Sequence, residues 1–325
     1  MGMLVNGQWV QGDRTPGPRG EFVRNVTTFR NRVTADGHSG FPAAAGRYHL
    51  YASLACPWAH RTLILRKLKG LESAIGLSIV DPFMAEMGWE FTQGPGCIPD
   101  TVNGKRYLHQ IYLAAVPDYS GRASVPVLWD TQRRAVVNNE SREIVRMLDH
   151  EFAALSGASA AQGRGTPDYC PPGMEAQVDA TIDAIFQPIN NGVYRCGFAK
   201  SQPAYDEAVR ELFDALAHWE GVLARQRYLC GDVPTEADWC LFTTLIRFEP
   251  VYHYHFKCNL ARLRDFPNLW NYTLELYQTP GVAETCDFDH IKQHYFRSHP
   301  SVNPTRIVPG GPVVDLTTPH DRARA

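Results

Sequence analysis

Residues Tyr51–Leu71 read YASLACPWAHRTLILRKLKGL, and the fold is decided there. An apolar run with strand character, Tyr48–Leu54, leads into Cys56-Pro57-Trp58-Ala59, where a helical pattern begins. Pro57 suits a first helical position, because it has no N–H to leave unsatisfied and its φ is already helical. Cys56 then falls at or beside the N-cap, where unpaired backbone N–H groups and the positive end of the helix dipole gather. A thiolate is stabilised in that place, and a thiol of ordinary pKa ~8.5 can fall to roughly 3.5–7.5. A lone cysteine more often simply packs; a strand, Cys-Pro and an amphipathic helix in succession favour a nucleophile. Position 59 is Ala, so the second thiol of a C-x-x-C pair is missing. A mixed disulfide at Cys56 therefore needs a thiol from solution, which points to a small one such as glutathione.

Outward from this stretch, 325 residues are enough for two domains with proper cores. A net charge of -2 supplies no basic field to draw phosphates, so nothing in the composition suggests a nucleic-acid or membrane partner. No apolar run reaches the ~20 residues of a membrane span, and MGMLVNGQWVQGD lacks the basic start and apolar core of a secretory signal. The eight cysteines are scattered, with no two at metal-ligand spacing, and a cytoplasmic chain with reduced thiols is the economical reading.

Residues 1–46 show no sustained period and read as an extended arm or irregular lead-in. The strand Tyr48–Ser53, the helix Pro57–Lys69 with a stop at Gly70, and the strand Ile75–Val80 follow. Asp81–Lys105, dense in Pro and Gly, reads as a long loop, of a length often functional. A short helix over Tyr107–Ala115, strands at Val125–Trp129 and Ala135–Val137, and a helix over Arg142–His150 complete the region. Val125–Pro126 is a candidate cis peptide. The order βαβ then ββα is that of thioredoxin, with Cys56 at the first helix N-terminus. A thioredoxin-like domain is thus expected over 47–155 and a linker of small residues over 156–173. An all-helical domain follows over 174–298, then an extended tail over 299–325. Within the helical part, Tyr205–Leu223 is strongly amphipathic, Thr235–Asp238 is a capping box, Trp239–Phe248 reads as a buried central helix, and Asn268–Gln278 is another helix.

An α/β thioredoxin-like domain followed by an all-α domain with that capping box resembles the glutathione transferase superfamily. Longer words narrow the resemblance: SLACPWAHR at Ser53–Arg61, GRASVPVLWD at Gly121–Asp130, NNES at Asn138–Ser141, INNGVYRCGF at Ile189–Phe198, EADWCLFTTLIR at Glu236–Arg247, FKCN at Phe256–Asn259 and NPTRIVPGGP at Asn303–Pro312. These look like the glutathionyl-hydroquinone reductases, the Xi class, over about residues 3–312. Ala123 and Phe296 depart from the pattern, and neither touches the nucleophile.

The resemblance implies that Cys56 attacks the glutathione sulfur of a glutathionyl-hydroquinone. The hydroquinone leaves, and a second glutathione resolves the mixed disulfide. Glutathione is then the co-substrate, with no metal and with a homodimer as the expected assembly. Glu140 can pair with the γ-glutamyl ammonium, while Ser141 and its helix N-terminus receive the carboxylate; read alone, the pair is equally an ordinary helix cap. Val125, before a cis Pro126, would offer its backbone to the cysteinyl part like an added strand. The resemblance adds Trp89 and Arg122 as glutathione contacts and selects Tyr194, Tyr252 and Tyr295 for the hydroquinone. All three tyrosines fall in the helical half, which would put the pocket at a domain interface. His290 and His294 stand i,i+4, but HIKQH lacks the glutamate of H-E-x-x-H, which argues against a metal. Two alternatives stand beside this reading: an omega-like thiol transferase or dehydroascorbate reductase, which would use the same nucleophile, and a non-catalytic carrier of aromatic ligands, in which Cys56 would be an ordinary thiol.

Overall fold

The computed structural model describes residues 2–12, 15–157 and 167–322. The chain divides into two compact units. The first takes Met1–Arg14, Val26–Pro167 and Glu284–Ser298; the second takes Thr15–Asn25, Asp168–Ala283 and His299–Ala325. Glu284–Ser298 thus belongs with the α/β unit, although it falls within the 174–298 bounds expected for the helical domain. Half of the expected 156–173 linker, residues 158–166, lies outside the described residues.

The first unit opens with a hairpin, β1 (Gly2–Val5) paired antiparallel with β2 (Gln8–Gln11). The arm expected over 1–46 thus begins with a paired hairpin, which its sequence had not shown. Asn6 and Gly7 both have positive φ, 47° and 76°, the pair required by a two-residue hairpin turn. The main sheet has four strands in the order β4-β3-β5-β6, from β3 (Tyr48–Ala52), β4 (Ile75–Ile79), β5 (Val127–Asp130) and β6 (Ala135–Asn138). β3 runs parallel to β4, and β3–β5 and β5–β6 are antiparallel. All five residues of β3 are buried, as befits a central strand.

Helix α1 (Pro57–Leu68) crosses from β3 to β4. It ends as a Schellman motif: Leu71 N–H donates to Arg66 O at 2.9 Å and Gly70 N–H to Lys67 O at 3.0 Å, with Gly70 at φ 60°. Helix α2 (Leu108–Ala115) precedes β5, and α3 (Ser141–Arg146) follows β6 and runs on as a π-helical turn, Met147–Glu151. This is the thioredoxin-like arrangement.

The second unit is helical. It contains α4 (Glu175–Ile185), α5 (Gly192–Gly197), α6 (Gln202–Leu223), α7 (Glu236–Leu245) and α8 (Pro267–Gln278). The Ser201 hydroxyl caps α6 by accepting from Ala204 N–H at 3.3 Å, and the stripe Val209, Leu212, Phe213, Leu216, Trp219, Leu223 is buried. Every residue of α7 is buried, as its apolar circumference predicts. Helix α9 (Phe288–Ser298) returns to the first unit. Among the described residues no helix is long and apolar enough to cross a membrane.

Candidate functional site

Cys56 is the N-cap of α1, with extended φ/ψ of -78° and 120°, and Pro57 takes the first turn. It is half-buried and in no disulfide, so it is not sealed in the interior. No acidic residue occupies the first turn of α1, leaving the positive end of the dipole unopposed. The Sγ faces the Val125 carbonyl at 3.7 Å. Val125–Pro126 is cis, and both residues are buried just before β5.

Two anchors fix the segment that carries them. The Tyr112 hydroxyl on α2 donates to Ser124 O at 2.7 Å and accepts from Ser124 N–H at 3.2 Å and from the Asn139 amide at 3.1 Å. Burial pushes the Tyr112 phenol up to about 12, which keeps it a donor at neutral pH. On the other side, Leu4 of β1 exchanges backbone hydrogen bonds of 2.8 and 2.9 Å with Gly121. The hairpin therefore pins the residue before Arg122, whose side chain is half-buried. Neither anchor carried a signal in the sequence beyond an aromatic on an amphipathic helix and an Asn-Gly turn.

Glu140 caps α3 by accepting from Arg142 N–H at 3.3 Å, and its other oxygen accepts from the Thr27 hydroxyl at 3.1 Å. Ser141 is buried at the first position of α3, with the Arg61 guanidinium from α1 3.4 Å from its hydroxyl. The cap and the ligand readings of Glu140 are thus compatible: one oxygen serves the backbone while the helix N-terminus stays in place.

Trp89 lies in the long connection between β4 and α2, is 8% exposed, and stacks on His294 with ring centroids 4.7 Å apart and planes at 23°. Tyr194 and Tyr252 come together in the second unit, with ring centroids 6.1 Å apart. Phe256 stacks on Tyr252 at 5.6 Å and lies 5.4 Å from Tyr194. Local backbone places both tyrosines beside π-helical turns, Phe186–Asn190 and Phe248–Tyr252. Each turn holds a proline, Pro188 or Pro250, that cannot donate the regular helical bond. The chain closes instead with five-residue bonds, Asn191 N–H to Phe186 O at 2.7 Å and Tyr252 N–H to Arg247 O at 3.2 Å. Sequence reasoning missed Arg24, whose guanidinium sits 4.9 Å from the Tyr194 ring centroid and whose Nε–H donates to Asn191 Oδ1 at 2.8 Å. Tyr295 is buried on α9 and falls in the first unit, which corrects its placement in the helical half.

The histidines on α9 are turned to carbonyls. His290 Nε2 lies 2.7 Å from Pro95 O and His294 Nδ1 lies 2.9 Å from Pro82 O. A carbonyl only accepts, so each of those nitrogens carries its proton and has no lone pair for a metal.

Comparison with known proteins bears directly on this arrangement. The profile for the glutathione S-transferase N-terminal domain matches residues 55–151, and that for the C-terminal domain matches 202–274. The chain is 50% identical to the glutathionyl-hydroquinone reductase YqjG of Escherichia coli, over 99% of this chain and 98% of that protein. The chain belongs to the glutathionyl-hydroquinone reductases, the Xi class of glutathione transferases. Solved structures agree. A Xi-class transferase from Natrialba magadii superposes with a TM-score of 0.91 at 54% identity, covering 99% of this chain and 97% of that one. The glutathione-bound structure of Escherichia coli YqjG gives 0.90 at 48% identity, covering 99% of both. A thioredoxin-like domain followed by a helical one is the fold of this Xi-class chain, and glutathione is its co-substrate.

Proposed function

We propose that this chain removes glutathione from S-glutathionyl-hydroquinones, with Cys56 as nucleophile. The observation that carries the reading is the half-buried Cys56 at the N-cap of α1, facing the Val125 carbonyl, in a chain related over its whole length to a glutathionyl-hydroquinone reductase. The helix N-terminus favours the thiolate, which attacks the glutathione sulfur of the thioether. The carbon–sulfur bond breaks, its electron pair stays with the ring carbon, and that carbon takes up a proton as hydroquinone departs. The Cys56–glutathione disulfide remains. A second glutathione thiolate attacks its glutathione sulfur, giving oxidised glutathione and restoring Cys56.

In this reading the Val125 carbonyl and amide pair with the cysteinyl part of glutathione, beside the cis Pro126. Glu140 and Ser141 hold the γ-glutamyl end, and Trp89 and Arg122 complete the glutathione site. Tyr194, Tyr252 and Tyr295 receive the hydroquinone, each offering a flat apolar face and a hydroxyl for a ring oxygen. No metal enters the chemistry, and the protein works in the cytoplasm as a homodimer.

Purified protein supplied with glutathione and a glutathionyl-hydroquinone should release free hydroquinone and form oxidised glutathione in equal amounts. Cys56→Ser should lower kcat by about a thousandfold or more, since a serine hydroxyl cannot form the disulfide. Intact mass after exposure to oxidised glutathione should show one adduct, mapped to Cys56. Full activity in the serine variant would refute the mechanism.

A further inference from the structure

Helix α9 carries Tyr295, but one of its faces is occupied with something else. At steps of four, seven and eight residues it holds the loop that bears Trp89. His290 donates to Pro95 O at 2.7 Å and His294 to Pro82 O at 2.9 Å. The Arg297 guanidinium lies 4.6 Å from the Phe83 ring centroid, and the Ser298 hydroxyl accepts from Met84 N–H at 2.9 Å. His294 also stacks on the Trp89 indole, and it adjoins Tyr295 in the chain, with their rings 5.3 Å apart. The backbone of Trp89 is held separately, its carbonyl accepting from Leu108 N–H at 2.9 Å. The stack on His294 therefore bears on the indole itself.

We propose that His294 is a positioning residue for the glutathione site. Its ring fixes the plane of Trp89 and its Nδ1–H fixes the loop through Pro82. Whatever is bound at Trp89 is thereby tied to the helix that carries Tyr295. This inference rests on reading Trp89 as a glutathione contact.

Two substitutions separate the two contacts. His294→Asn keeps an N–H near the place of Nδ1 and removes the stack, whereas His294→Phe keeps the aromatic plane and removes the hydrogen bond. Glutathione binding by titration calorimetry and the split of KM from kcat on a glutathionyl-hydroquinone are the readouts, with thermal melts to confirm folding. His294→Asn should weaken glutathione binding by about 3- to 10-fold, the scale of one lost aromatic stack, with the loss in KM. His294→Phe should bind several-fold more tightly than the Asn variant. Trp89→Ala should lose at least as much as His294→Asn, and adding His294→Asn to it should cost little more. If His294→Asn binds normally while Trp89→Ala does not, His294 positions nothing. Equal losses from His294→Asn with and without Trp89 would place its effect elsewhere and overturn the proposal. Normal binding by Trp89→Ala would refute the reading of Trp89 itself, and this inference with it.

Discussion

His49 shows how much one residue of the central strand carries. It is 4% exposed, and its Nε2 lies 2.8 Å from the Ser78 hydroxyl, which itself donates to Pro99 O at 2.9 Å. The hydroxyl has spent its proton, so Nε2–H is the donor in the first bond and the neutral ring fits the site. Its cross-strand partner is Gly76, where a Cβ would come within 2.4 Å of the His49 Nδ1. Burial is the main reason its pKa is pushed down to about 4, with the Asp100 charge opposing and Arg66 reinforcing. An unfolded chain protonates this histidine near pH ~6.5. Between that pH and about 4 the unfolded state holds a proton that the folded state refuses. The stability due to the neutral ring is therefore complete above pH ~6.5 and drains away as pH falls towards 4, by about 3 kcal/mol in all. His49→Gln keeps an N–H for Ser78 and does not titrate. Urea midpoints between pH 7 and pH 4.5 should fall more steeply for the unaltered chain than for this variant, and parallel curves would show that His49 does not carry the effect. None of this was legible in the sequence, where His49 is simply one position in an apolar run. Cys56 was legible, because Pro57 marks a helix start by a local steric rule that tertiary packing does not override.

At the scale of elements, the segments that announced themselves were those with strong local chemistry. The capping box before α7 is one. Asp238 is fully buried and accepts from Thr235 N–H at 2.7 Å, the Thr235 hydroxyl at 2.9 Å, Leu229 N–H at 2.9 Å and the Tyr272 hydroxyl at 2.8 Å. Removing the carboxylate strands several buried donors at once. Asp238→Ala should destabilise the protein by about 3–5 kcal/mol, read from denaturant unfolding. Asp238→Asn should lose less, since it still accepts through one oxygen but sets an amide N–H against Thr235 N–H. A loss below ~1 kcal/mol for the alanine variant would mean that water reaches the stranded groups. The helices α4 and α5 were silent for the opposite reason. The π-helical turn Phe186–Asn190 between them shifts the phase of the apolar stripe, and its Pro188 reads as a break. The hairpin Gly2–Gln11 was legible in principle through Asn6-Gly7. Its strands of four residues are too short, and one of them too exposed, to show a clean alternation.

Chain order and spatial membership part company in the molecule as a whole. The i,i+4 spacing of His290 and His294 fits the helix Phe288–Ser298, but spacing along a sequence does not tell which core a helix joins. The tyrosine set illustrates the consequence: Tyr194 and Tyr252 belong to the helical unit, whereas Tyr295 arrives with a helix that completes the α/β unit. Helix α9 buries His290, Ile291, His294, Tyr295 and Phe296 and holds the loop Pro82–Pro95 by hydrogen bonds. A chain ending at Pro167 lacks that helix. It should melt roughly 10 °C or more below a chain in which 1–167 is joined by a flexible Gly/Ser linker to 284–298, since the apolar surface that Ile291, Tyr295 and Phe296 cover is left open to water. Only the joined chain should bind glutathione measurably, because in the shorter one nothing replaces the partners of Pro82, Met84 and Trp89. Circular dichroism melts and calorimetric titration of the two chains decide the matter. Equal melting and equal binding would show that the α/β unit closes its own loop, and that the return of the chain serves only to deliver Tyr295.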